Sequence, residues 1–83
     1  MNRIITNGKS LKLLSPEDDK LFDTAYGKKV KVICFNEADN LIGTLSGWTS
    51  ELDNEPDGES IIVDVGIAPY EVYIEDIKAI VVL

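Results

Sequence analysis

The chain has 83 residues, 45% of them apolar, with 8 basic side chains against 15 acidic ones and a net charge of −7. This describes one small soluble globular domain, without the run of about 18 apolar residues that a membrane span requires. A single cysteine and no histidine exclude an internal disulfide, the histidine-containing zinc fingers and every nucleophile that depends on a histidine base.

The charge is unevenly placed. Residues 1–31 carry seven basic and four acidic side chains, whereas residues 32–83 carry Lys78 against eleven acids. Such a surface repels phosphate backbones at long range and disfavours RNA as a partner. It also allows the basic segment of one copy to face the acidic part of another.

In chain order, Ile4-Ile5-Thr6, Asn7-Gly8 and Lys9 to Leu14 predict a hairpin. Asn-Gly supplies the positive φ angles of a two-residue turn, and Leu11 and Leu13 alternate with polar neighbours. Residues 1–14 are thus expected to form an extension ahead of a domain over 15–83, with no apolar stretch of the length a secretion signal has. Ser15-Pro16-Glu17-Asp18 is a helix start: a capping hydroxyl, proline at the first helical position, and acids at the positive end of the dipole. Leu21, Phe22 and Ala25 form its apolar face and Gly27 ends it.

Five strands are expected next, at about 29–35, 41–49, 60–65, 70–74 and 77–83. Gly43 and Gly47 inside the second of these indicate sharp curvature or close backbone approach. Leu21, Phe22, Val30, Val32, Leu45, Ile62, Val72 and Ile80 are the expected core. One short helix followed by five antiparallel strands predicts an all-β fold, a small bent barrel of the SH3-like kind.

Several of these residues resemble the Sm-like family. Gly27-Lys28-Lys29-Val30-Lys31-Val32 is similar to its opening Gly-x-x-Val-x-Val strand. Gly43-Thr44-Leu45 is similar to the Gly-x-Leu of its second strand, Trp48 falls at the aromatic position that follows, and Ile77 and Ile80 match the isoleucines of the closing motif. The resemblance spans 15–83 and implies a helix capping a five-stranded barrel. It also implies a ring in which the fourth strand of one subunit pairs with the fifth of the next; a two-fold dimer through the amino-terminal hairpin is the alternative form of self-association. The ring places Tyr70, Val72, Tyr73, Ile74, Ile80 and Val82 at an oligomer interface.

The departures bear on function. Where RNA-binding members carry Asp-x-x-Met-Asn, this chain reads Thr49-Ser50-Glu51-Leu52-Asp53, and the Arg-Gly of the closing motif is missing from Val72-Tyr73-Ile74-Glu75-Asp76-Ile77. The chain reads as a divergent, bacterial or phage-type member without the RNA-binding residues. An ionised Asp53 accepts hydrogen bonds but cannot donate as an asparagine does. Trp48 and Asn54, aided by Lys28, Lys29 and Lys31, are the remaining candidates for contact with RNA or another ligand.

A further alternative is a cation in the acidic loop, where Glu51, Asp53, Glu55, Asp57 and Glu59 alternate with other residues. Asp53 to Gly58 resembles the first half of a calcium loop. Asp64 then stands where a bidentate glutamate belongs. Cys34, on an apolar strand, reads as a small buried hydrophobe. The expectation is a non-enzymatic, cytoplasmic assembly or interaction module with no cofactor, whose partner is protein, copies of itself included.

Overall fold

The computed structural model describes residues 2–83. It is mostly β with one α-helix, and its six strands form a single antiparallel sheet. The helix, α1, spans Pro16–Ala25; the Ser15 hydroxyl accepts from the Asp18 N–H at 3.2 Å, and Glu17, Asp18 and Asp19 fill the first turn. Phe22 and Ala25 are buried beneath it. Gly27, at φ 80°, turns the chain out of the helix. Its N–H then donates to Leu45 O at 2.8 Å, fastening the helix exit to the sheet. Among the described residues no helix is long and apolar enough to cross a membrane.

The strands are β1 (Asn2–Ile5), β2 (Lys29–Cys34), β3 (Leu41–Thr49), β4 (Ser60–Asp64), β5 (Pro69–Tyr73) and β6 (Ile77–Val82). Their order is β1-β6-β2-β3-β4-β5, with no pairing between β1 and β5, so the sheet is open. The five expected strands are all present. The sixth, β1, is an addition, and the sheet differs in this respect from a closed five-stranded barrel.

The expected hairpin over 4–14 does not form. Its turn does: Asn7 and Gly8 have φ of 48° and 77°, and Lys9 N–H donates to Thr6 O at 2.9 Å. The chain then enters a 3-10 turn, Leu11–Leu13, instead of returning along Ile4 and Ile5. Those two residues pair with Ile80 and Ala79 of β6, and the buried Thr6 hydroxyl donates to Ile77 O at 2.8 Å. Residues three apart eclipse in a 3-10 turn. Leu11 is therefore buried and Leu14 half-buried, while Leu13 stands 72% exposed. Ile4 and Leu11 share the core with the rest of the chain.

Ile4, Val30, Val32, Leu45, Ile61, Val63, Ile77 and Ile80 are fully buried and form the centre of the core. Ile62 was expected among them. In the apolar run Ile61-Ile62-Val63 alternation cannot choose a face, and the register pairs Leu45 with Val63, turning Ile62 outward against Gly47. Leu21 and Val72 are half-buried at the core's margin.

The curvature of the sheet is concentrated in β3. Its register on β4 shifts between Leu45 and Gly47, as a bulge does. At Gly43 a Cβ would lie 2.5 Å from the Asp64 carbonyl oxygen and 2.8 Å from a Val63 methyl. A Cβ at Gly47 would meet only the Ile62 side chain, at 3.3 Å. Gly43→Ala is therefore expected to lose about 1–3 kcal/mol or more, because backbone must move, and Gly47→Ala less. Denaturant unfolding of both variants tests the order; equal stabilities would contradict the close approach.

Candidate functional site

β5 is the last strand of the sheet and has no strand on its outer side. Pro69 opens it, a residue tolerated at edges and strand starts. Because the sheet curls, β5 comes to face the connection between β2 and β3, three places away in the strand order. The two line a cleft of about 370 Å³.

Val72, Cys34, Leu41 and Tyr70 supply its apolar wall. Tyr70 is 49% exposed at the mouth. Asp39, Asp76 and Glu71 give the cleft its charge, and no basic side chain lines it.

The floor is held by local hydrogen bonds. Asn36 Oδ1 accepts from Ala38 N–H at 3.2 Å and starts a 3-10 turn, Glu37–Asp39. Asn40 Oδ1 accepts from the Cys34 N–H at 2.7 Å. The Cys34 thiol donates to Asp39 O at 3.6 Å. Burial first, then the carboxylates of Asp39 and Asp76, push this thiol's pKa up. A protonated, buried thiol is a poor nucleophile.

A polar network organises the other side of β5. Glu71 Oε2 accepts from the Ser60 hydroxyl at 2.8 Å and from Asn54 Nδ2 at 3.1 Å, and Glu71 Oε1 accepts from the Tyr73 hydroxyl at 3.0 Å. The hydrogen bonds from Ser60 and Tyr73, with a smaller one from Asn54, hold the Glu71 carboxyl below its ordinary range. The bond to Glu71 in turn pushes the Tyr73 hydroxyl up. Asn54 Nδ2 also donates to Gly58 O at 2.8 Å. Its amide hydrogens are thus engaged in fixing the 51–59 loop to β5.

Trp48 is similarly tied. Its indole N–H donates to Glu59 Oε2 at 2.7 Å, and the same oxygen accepts from the Leu11 N–H at 3.3 Å. The ring is 39% exposed and lines a small pocket with Leu11 and Phe22. Trp48 and Asn54, expected together as a ligand contact, are engaged with different partners, Trp48 with Glu59 and Asn54 with Gly58 and Glu71. In the acidic loop, Glu51, Asp57 and Glu59 line a cavity of about 200 Å³ with Glu75. Among the described residues no three carboxylate or thiol side chains converge to hold a metal ion.

The expected interface residues divide. Tyr70, Val72 and Tyr73 lie on the free strand β5. Ile74 is buried and begins a 3-10 turn, Ile74–Asp76. Ile80 and Val82 sit in β6, which pairs with β2 on one side and β1 on the other. The β6 edge on which the expected ring contact depends is therefore covered within the chain, and Ile80 is core. The cleft itself went unread in the sequence. Its residues come from three strands and two 3-10 turns, and Pro69 is the one local sign of an edge beside it.

Comparison with protein-family models, with curated proteins and with solved structures returns no match.

The Glu71 network has a consequence for acid stability. A carboxyl held below its ordinary value stabilises the fold above the ordinary glutamate range, and this contribution is lost as pH falls through the depressed value. Melting temperatures between about pH 5 and pH 2 should fall less steeply for Glu71→Gln than for the unmodified chain. Superimposable acid profiles would show that this carboxyl does not titrate with folding.

Proposed function

We propose that this chain is a non-enzymatic assembly or interaction module of the small-barrel, Sm-like type. It engages protein, copies of itself included, through the open ends of its sheet. The observation that carries the reading is the unpaired edge of β5, lying beside a cleft of about 370 Å³. An exposed strand edge is a template for another chain unless it is blunted. Five residues long and carrying Tyr70, Val72 and Tyr73, β5 is of a composition suited to pairing.

The charge supports protein over RNA as the partner. Fifteen acids against eight basic residues oppose phosphate binding. The two residues best suited to a base, Trp48 and Asn54, are hydrogen-bonded within the chain. The buried Cys34 and the absence of histidine leave only carboxylates, lysines and hydroxyls for catalysis, and the hydroxyl that meets a carboxylate in the cleft, Tyr73 on Glu71, has its pKa pushed up by that bond. A reducing, cytoplasmic setting suits the free thiol.

Self-association through this fold uses β5 of one copy and a free surface of the next other than β6, with β1 the second open end. Sedimentation at tens of micromolar is expected to show species larger than 9.2 kDa. Tyr70→Lys, which places a charge at the exposed edge, should weaken that association at least about tenfold. Val82→Lys should lower stability without a selective effect on assembly. A single 9.2 kDa species across the concentration series would overturn self-association.

A further inference from the structure

We infer that the cleft beside β5 receives an extended basic segment of another protein, which adds as a strand to β5 and directs a lysine or arginine side chain between Asp39 and Asp76. The inference rests on the interaction-module reading and specifies its partner. Three observations meet at this place. First, the outer side of β5 carries no strand, and main-chain hydrogen bonds to such an edge hold a guest strand regardless of its sequence.

Second, the cleft is built for a side chain with an apolar stem and a positive head. Tyr70 and Val72 lie opposite Val63 and Ile61, which are buried, so they belong to the inner row of β5. With Cys34 and Leu41 they offer an apolar wall to methylene groups, while Asp39 and Asp76 accept at the rim. At about 370 Å³ the space lies near the lower bound of ligand pockets, roughly 300 Å³. That suits one or two side chains. Tyr70 at the mouth adds an aromatic face of the kind a cation prefers.

Third, the cleft's negative charge lacks a counter-charge among its lining residues. Its field is already felt inside: the Asp39 and Asp76 carboxylates add to burial in raising the Cys34 pKa. Glu71 strengthens the same field, although its oxygens are held by Ser60, Tyr73 and Asn54. An anion or a nucleic acid is repelled there. A second copy is a poorer match than a basic segment: β1, the other open end, offers Arg3 as its one cation, and Ile4 is locked in its own core.

The test is an amide NMR titration of the full chain with a capped hexapeptide of alternating lysine and valine, whose lysines repeat at the spacing of one strand face. An otherwise equal glutamate–valine peptide is the control. Saturable shifts are expected at Asn40, Leu41 and Tyr70 to Tyr73, with no matching response to the control. N-methylation of the peptide's edge-facing amides should abolish them. Asp39→Asn combined with Asp76→Asn should weaken binding at least about tenfold; both residues are exposed, and an unchanged free-state spectrum confirms the fold. No saturable shift at millimolar peptide, an equal response to the glutamate peptide, or shifts centred on the 51–59 loop would overturn the inference. If the peptide is inert while sedimentation shows assembly sensitive to Tyr70→Lys, the occupant of β5 is a second copy. The module reading then stands and this inference fails.

Discussion

β3 and β4 approach so closely at Gly43 that the Asp64 carbonyl and a Val63 methyl occupy the space of a side chain. Most of the architecture follows from that contact. With the bulge after Leu45, it concentrates the bend in one strand, and the bend carries β4 and β5 around toward the start of β3. Leu45, Ile61 and Val63 are thereby turned onto Val30, Val32 and Ile80, and one core of branched aliphatics results. In a flat sheet of the same strands β5 would lie far from Cys34 and Leu41. The cleft is the remainder of a curl that does not finish: the hydrogen-bonded order stops at β5, while the apolar inner face continues past it.

Polar side chains that look available in the sequence are largely engaged in holding the two long connections. Glu59 joins Trp48 to the turn at Leu11, and Glu71 joins Ser60, Tyr73 and Asn54. Ser60 is fully buried, and the partner it needs is the charged oxygen of Glu71. Charge-assisted hydrogen bonds of this kind are among the stronger ones available to a small domain. The backbone edge of β5 and the carboxylates of Asp39 and Asp76 take no part in these two networks.

Features set by neighbours in sequence were legible. The Ser15 cap, Pro16 at the helix start, the positive φ at Asn7, Gly8 and Gly27, and the positions of β2 to β6 each depend on a few adjacent residues. Features set by pairing across the chain were not. Ile4 and Ile5 read as half of a local hairpin, yet they extend the sheet beside β6, because that strand's apolar edge offers more burial than Leu11 to Leu14 do. Ile61-Ile62-Val63 is apolar at every position, so only the register on β3 decides which residues face inward. Of the candidate site, the strand carrying Tyr70, Val72 and Tyr73 was anticipated. Asp39 and Asp76 were not, since only the curl of the sheet brings them to one opening.

The pairing of β1 with β6 has a kinetic side. Thr6 and Ile77, which close this pairing with a buried hydrogen bond, are 71 residues apart in the chain. Loop closure over such a span is paid in chain entropy before any contact rewards it, and non-local pairing of this type slows folding. During synthesis the segment that becomes β1 leaves the ribosome ahead of the other strands of this sheet and waits for β6. The helix and the β2–β3–β4–β5 meander can assemble from contacts between sequence neighbours in that interval. β6, the latest strand of this sheet in the chain, lies between β2 and β1, so completing the sheet depends on the pairing most distant in sequence.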